Sequence, residues 1–175
     1  MNRDQAFAIV NEFIENQNLV RHMLSVEAAM RFYAEKLGED VELWGIVGLL
    51  HDFDWEIHPT MEGHPSAGAP LLRERGVSEM IIRAILSHAD HTGLTRDTQM
   101  EKALYACDEL TGLITATALV RPSRSLMDLT AKSVKKKWKN KHFAAGANRE
   151  EMERGAEEFG VELDDMAHVD DDEKG

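Results

Sequence analysis

The chain has 175 residues, of which 43% are hydrophobic and 30% are charged, as is usual for one globular domain that buries a sizeable core. No apolar run approaches the ~18 residues needed to cross a bilayer, and the charged N-terminal stretch lacks the apolar segment of a secretory signal. The single cysteine, Cys107, excludes an internal disulfide framework and fits a reducing compartment, so we expect a cytoplasmic protein.

The hydrophobic spacing is helical almost throughout, and no segment alternates as a strand would. We therefore predict an all-α chain whose helices cover about residues 3–16, 18–37, 40–50, 66–75, 78–88, 98–119, 125–138 and 148–160, with a last one beginning at 163–167. Asn18 is the predicted cap of the second helix, and Ser125 with Asp128 forms the predicted capping box of the seventh. No repeat or linker divides the chain, so we predict one domain over residues 1–175.

Charge is unevenly distributed along the chain. The net charge of −12 argues against general binding to nucleic acid. Residues 121–141 nevertheless hold eight Lys or Arg and one acid, whereas residues 161–175 form an acidic tail. The basic stretch is either a solvated helix face or a surface that neutralises a phosphorylated small molecule. The candidate substrate-binding residues are Arg121, Lys132, Lys135 and Lys136.

Most of the histidines fall at or near helix ends, or just after a loop, from which side chains can converge inside a bundle. Together with two aspartates they form an ordered set of six candidate metal ligands: His22, His51, Asp52, His64, His88 and Asp108. Imidazole combined with carboxylate suits Zn, Mn, Fe, Co or Ni rather than a hard cation. Asp52 has two oxygens and can bridge two ions, and the adjacent His51 then completes the shell of one of them.

The order His, His-Asp, Asp at positions 22, 51–52 and 108 resembles the defining pattern of the HD superfamily of metal-dependent phosphohydrolases. His64 and His88 match the two further histidines of its two-metal branches. The flanks HMLSVEAAM, LLHDFDWEIHP, AILSHADHTG and DELTG look closer still to small predicted HD hydrolases of prokaryotes. The resemblance implies a helical HD-domain bundle with its metal core at about residues 18–120, followed by the basic helix and the acidic tail in 121–175.

The resemblance further implies one or two divalent transition-metal ions, with two favoured, that activate a hydroxide to attack a nucleotide or another small phosphoester. Asp52 and His91 are the candidate catalytic residues, with His91 as proton donor, substrate contact, partner of a ligand or a simple loop histidine. The same six-ligand pattern also occurs in mixed-valent diiron oxygenases similar to inositol oxygenase, which is the second hypothesis for the function. A non-catalytic ligand-binding module is the third hypothesis.

Three further polar residues, Asp54, Glu56 and His58, follow the His-Asp pair, and we expect each to lie in a solvated loop. Cys107 precedes a candidate ligand inside a helix, where we expect a small core residue rather than a nucleophile.

Overall fold

A computed structural model describes residues 1–162 of the chain, and these residues form helices and turns with no strand. The all-α prediction is therefore confirmed. The helices are α1 (Arg3–Phe13), α2 (Gln17–Leu37), α3 (Val41–Leu50), α4 (Ala69–Glu74), α5 (Glu79–Ser87), α6 (Gln99–Leu119), α7 (Ala131–Trp138) and α8 (Arg149–Phe159). A short 3-10 helix, Asp90–Thr92, follows α5. Within residues 1–162, none of these helices is both long and apolar enough to span a membrane.

The chain divides into two compact units, Met1–Tyr105 and Ala106–Gly175, and the boundary falls inside α6. The first unit holds α1 to α5, the 3-10 helix and the start of α6. The second holds the rest of α6, α7 and α8. The assignment of residues 1–175 to one domain stays a prediction.

The core of the first unit is the packing of α2 against α3. Every residue of Trp44–Leu50 in α3 is buried, as its unbroken apolar sequence predicts. Gly48 permits the close approach, because a Cβ at this position would lie 3.0 Å from the backbone Cα and N of Glu27 in α2. The missing side chain therefore sets the spacing between the helices that carry His22 and His51.

A buried carboxylate ties the first three helices together beside this contact. Glu27 is 4% exposed, and Arg3 of α1 donates to it from Nε (2.6 Å) and Nη2 (2.9 Å). Arg31 donates from Nε to the same Glu27 and from Nη2 to Glu42 of α3, both at 2.9 Å. The charge of Glu27 is thus paired on both sides, as a buried carboxylate requires.

Residues 51–68, between α3 and α4, form successive turns fastened to the α1–α2 junction. Phe53 is fully buried, and its ring meets that of Phe13 edge-on at 5.5 Å between centroids. The Glu56 carboxylate accepts the backbone N–H groups of Glu15 (3.0 Å) and Asn16 (3.1 Å). Glu56 is exposed, as expected for this loop, yet it holds the loop in place.

The amino end of α6 carries a capping box. Thr98 Oγ1 accepts the N–H of Glu101 (3.2 Å), and Glu101 Oε2 accepts the N–H groups of Asp97 (2.7 Å) and Thr98 (2.9 Å). Arg83 of α5 donates to the other oxygen of Glu101 and to Asp97 (2.6 Å). The start of α6 is therefore joined to α5 by a charged network.

Several predicted helix limits shift by a few residues. The predicted cap Asn18 is wrong, because the cap lies two residues earlier at Asn16, whose side chain accepts the N–H of Asn18 (2.9 Å). The first helix ends at Phe13 rather than at residue 16, because Ile14 is extended. The predicted helix beginning at 163–167 lies outside the described residues.

The predicted capping box at Ser125 and Asp128 is also wrong. Thr130 caps α7, which therefore begins at residue 131. Asp128 instead accepts hydrogen bonds from Arg121 Nη2 (2.8 Å) and from the Ser123 hydroxyl (2.9 Å). The ion pair with Arg121 lowers the pKa of Asp128, and the turn that it closes replaces the expected first turn of the helix.

Candidate metal centre

Five of the six predicted metal ligands lie in the first unit, each held by a different piece of local structure. They are His22 in α2, His51 at the end of α3, Asp52 directly after it, His64 in the turns before α4, and His88 at the end of α5. His51, His64 and His88 are buried, whereas His22 and Asp52 are half-buried. The set thus combines a protected interior with an accessible side.

The four imidazoles meet as two pairs through their Nε2 atoms. The His22 and His51 Nε2 atoms are 3.2 Å apart, and those of His64 and His88 are 3.1 Å apart. Metal–nitrogen bonds of about 2.1 Å at 90° to 109° place two ligand nitrogens about 3.0 to 3.4 Å apart. Each pair therefore has the spacing of two ligands on one ion.

Asp52 stands between the two pairs and turns one oxygen to each. Its Oδ2 lies 3.6 Å from His22 Nε2 and 3.5 Å from His51 Nε2. Its Oδ1 lies 3.3 Å from His64 Nε2 and 3.7 Å from His88 Nε2. Asp52, His64 and His88 form a group whose candidate ligand atoms all lie within 4.8 Å of one another. This is the arrangement expected of a carboxylate shared by two metal ions.

The outer nitrogens of His64 and His88 fix which ring nitrogens carry protons. His64 Nδ1 faces Asp54 Oδ1 at 2.7 Å, and His88 Nδ1 faces the carbonyl oxygen of Ile85. Both oxygens only accept, so each Nδ1 donates, and in a neutral ring Nε2 is then an unprotonated acceptor. Two such acceptors 3.1 Å apart repel each other, and a cation between them removes the repulsion. The donor set therefore fits a metal ion.

The first pair is prepared in a similar way. His51 Nδ1 donates to the carbonyl oxygen of Gly48 at 2.7 Å, so in a neutral ring the Nε2 that faces His22 is an acceptor. The residue that brings α3 close to α2 thus also orients the His51 ring.

The sixth predicted ligand, Asp108, is half-buried in α6 and belongs to the second unit. Its neighbour Cys107 is buried, and burial raises the pKa of the Cys107 thiol well above its usual range, with a smaller contribution from the charge of Asp108. Cys107 is therefore a neutral core side chain, as expected, and not a nucleophile.

His91 lies in the 3-10 helix, where it is exposed, and contacts a ligand through the backbone. Its Nε2–H donates to the carbonyl oxygen of His64 at 2.7 Å. Asp90 accepts hydrogen bonds from Arg96 (3.0 Å) and from the Tyr105 hydroxyl (3.1 Å), which fasten the 3-10 helix. This contact supports one of the roles considered for His91, that of a partner of a ligand. Its catalytic role stays a prediction.

Asp54 differs most from its expected place. It is fully buried, not solvated, and its Oδ1 accepts the Nδ1–H of His64. In the sequence, Asp54 stands two residues after the candidate ligand Asp52. Neither composition nor periodicity indicates that its side chain is buried. His58 is half-buried, and its Cβ would be 3.1 Å from a Cβ at Gly63.

The predicted substrate-binding residues all lie in the second unit. Lys132, Lys135 and Lys136 are exposed on α7. Arg121 donates to the backbone oxygen and the carboxylate of Asp128, both at 2.8 Å. Its guanidinium is thus already engaged with an anionic group of the chain itself. The substrate roles of all four residues stay predictions.

Comparison with known proteins agrees with this geometry. The family model described as HD domain matches residues 19–113, more than half of the chain. Ribonuclease Y of Geobacter metallireducens is 34% identical over 98 residues, which cover 55% of this chain and 18% of that protein. Ribonuclease Y of Pseudothermotoga lettingae is 38% identical over 73 residues, which cover 41% of this chain and 14% of that protein. The matched segment thus spans less than a fifth of the length of these relatives, and no solved structure gives a significant match.

Proposed function

The chain belongs to the HD-domain family, a superfamily of metal-dependent phosphohydrolases, and we propose that it hydrolyses a nucleotide or another small phosphoester. The observation that carries this proposal is the position of Asp52, one oxygen of which faces His22 and His51 while the other faces His64 and His88.

We propose two divalent transition-metal ions as the cofactor, drawn from Fe, Mn, Co, Ni and Zn. His22 and His51 would hold one ion, His64 and His88 the other, and Asp52 both. Asp108 is the proposed sixth ligand, on the resemblance of its motif and on its charge, since a second carboxylate offsets part of the four positive charges of two dications.

When bound, two such ions would act as Lewis acids on a phosphoryl group and would lower the pKa of a coordinated water to about 7, which would supply a nucleophile at neutral pH. The protein contributes orientation: His51, His64 and His88 are each held by an Nδ1–H bond, so little rearrangement is needed on binding. No side chain forms a covalent intermediate in this proposal. His91 is the candidate donor of a proton to the leaving group.

The substrate class follows from charge and from the relatives. The relatives are named ribonucleases, which brings phosphodiesters into the set to be tried. The net charge of −12 disfavours a long polyanion, so we propose a small phosphorylated molecule as the substrate. Lys132, Lys135 and Lys136 are the proposed cations for phosphate groups that are not attacked, and Arg121 would have to exchange Asp128 for the substrate.

The test is metal analysis of anaerobically purified protein, followed by a panel of phosphomonoesters, nucleotides and a short RNA with Mn, Fe, Co and Ni added separately. We expect phosphate release without dioxygen, supported by at least one metal other than iron, because hydrolysis needs no change of oxidation state. Turnover that requires iron and consumes dioxygen, with no anaerobic hydrolysis, would instead identify the oxygenase chemistry of the same superfamily. His51→Ala, which removes a proposed ligand, should lose this hydrolytic activity, and His142→Ala, which replaces an exposed histidine of the second unit, is its control.

A further inference from the structure

Among the described residues, the buried carboxylate of Asp54 makes a single hydrogen bond. It is 0% exposed, and its Oδ1 accepts the Nδ1–H of His64 at 2.7 Å. Its Oδ2 is buried with no hydrogen-bond partner among the described residues. Taking a carboxylate out of water in this way lowers stability, so the burial of Asp54 points to a role other than stability.

The cost of this carboxylate is compensated when its partner becomes positive. A neutral His64 offers Asp54 one hydrogen bond and no charge. An imidazole bound to a dication shares the positive charge of the ion, and the carboxylate behind it then has an opposite charge in a medium of low dielectric constant. Metal binding at His64 and burial of Asp54 therefore favour each other.

The surroundings of Asp54 are shaped to hold it in this orientation. Gly68 is buried beside it, and a Cβ on Gly68 would lie 2.6 Å from Asp54 Oδ2 and 2.7 Å from its Cγ. Trp55 packs against His64, the hydrogen-bond partner of Asp54, with the two rings edge-on and 4.9 Å between their centroids. The carboxylate occupies the space that any side chain at position 68 would fill.

The two histidine pairs differ in the groups that accept their Nδ1–H bonds. His51 and His88 donate their Nδ1–H to neutral backbone carbonyls of Gly48 and Ile85, whereas His64 alone among these three donates to a carboxylate. A carboxylate partner makes an imidazole a stronger electron donor than a carbonyl partner does. The asymmetry predicts a difference in affinity between the two ions.

We infer that Asp54 is a positioning residue that keeps His64 Nε2 unprotonated and directed inward, and so sets the affinity of the His64–His88 half for its ion. The inference rests on the proposed two-metal function. It extends that function by naming a residue outside the six ligands that makes the two halves unequal.

The first experiment needs no metal. In the metal-free chain with 15N-labelled histidine, the ring nitrogen shifts of His64, assigned by their absence in His64→Ala, report which nitrogen carries the proton. We expect the Nδ1-protonated form in the wild type and a mixture of both forms in Asp54→Ala. Identical shifts in the two proteins would overturn the inference, whatever metals the chain binds.

The second experiment titrates Mn²⁺ and Co²⁺ into the full chain at a single pH of 8 by calorimetry, and compares wild type with Asp54→Asn. We expect one ion to bind about 10- to 100-fold more weakly and the other to keep its affinity. Unchanged binding of both ions overturns the inference. Equal weakening of both, together with a lower unfolding midpoint of the metal-free chain, assigns Asp54 a structural role and overturns it as well.

Gly68→Ala provides a variant that leaves every polar group in place. Its Cβ displaces the Asp54 carboxylate, so we expect the same selective weakening, whereas Gly112→Ala, with nothing within 4 Å of the added Cβ, should bind both ions as the wild type does. Wild-type affinities in Gly68→Ala would count against the inference. A wild-type chain that binds fewer than two ions contradicts the proposed two-metal function instead, and the His64 shifts still decide the role of Asp54.

Discussion

Replacing Gly48 by Ala tests whether the spacing of α2 and α3 sets the first half of the metal centre. The added Cβ would lie 3.0 Å from the Cα and N of Glu27 and 3.0 Å from Met30 Cγ. Two of these three atoms are backbone atoms of a helix, which cannot move aside as the end of a side chain can. Overpacking of this kind costs about 1 to 3 kcal/mol.

A second effect opposes the first. Ala stabilises a helix interior by about 1 kcal/mol relative to Gly, so the net loss expected for Gly48→Ala is about 0 to 2 kcal/mol. Gly112→Ala isolates this gain, because a Cβ at that position in α6 meets nothing within 4 Å. The difference between the two variants therefore measures the steric cost at the α2–α3 contact alone.

The assay is urea unfolding of both variants in the metal-free state, followed by titration of metal. We expect Gly48→Ala to be less stable than Gly112→Ala by about 1 to 3 kcal/mol, and to bind the ion of the His22–His51 pair more weakly. The reasoning is refuted if Gly48→Ala is stabilised as much as Gly112→Ala, since the helices would then have room for the methyl group.

Three further predictions concern the ligands, the α6 cap and the basic helix. His51→Ala and Asp52→Ala should lose most bound metal by mass spectrometry while His142→Ala keeps it, and full retention in both would contradict the ligand assignment. Burial raises the pKa of Glu101, but the N–H of Thr98, the guanidinium of Arg83 and the N–H of Asp97 together hold it below its usual value. Glu101→Gln should therefore cost about 1 to 3 kcal/mol above the unfolded pKa of about 4.3, and the difference from wild type in acid-unfolding curves should shrink as the pH falls through the lower, folded pKa. Reversing Lys132 and Lys136 to Glu should raise the Michaelis constant for a phosphoester at unchanged metal content, whereas Lys36→Glu should not, and equal constants would return α7 to a solvated face.

The helices could be predicted, as could the convergence of five candidate ligands in the first unit, because both follow from local properties of the sequence. Apolar residues recur with the helical period, and Gly38 and Gly160 end their helices with positive φ angles as a C-terminal glycine does. The limits of α7 could not be predicted, because Asp128 bonds to Arg121, seven residues before it, rather than to the backbone that follows. Whether a short acidic side chain caps a helix or closes a turn depends on a guanidinium placed by the fold.

Asp54 was not predictable for a related reason. Its burial depends on Gly68, fourteen residues along the chain, whose missing side chain makes room for the carboxylate. An acidic residue in a Gly- and Pro-containing loop is solvated in most proteins, so only a contact between two distant positions reverses that expectation. The type and order of residues along the sequence point to candidate ligands. A residue that orients a ligand, such as Asp54, is found only from distances between side chains in the folded chain.

The two halves of the centre are held by structures of different kinds, and this affects how each responds to damage. His22 and His51 project from α2 and α3, whose packed faces form the core of the first unit, so this pair should persist until that core unfolds. His64 lies in turns between helices and is held by Asp54 and by His91 from the 3-10 helix. Such turns open locally at a lower free energy than packed helices do. In hydrogen exchange of the metal-free chain, the amides of residues 51–68 should therefore exchange faster than those of α3, and metal should slow them more. Equal protection of both segments without metal would mean that the turns are as rigid as the core.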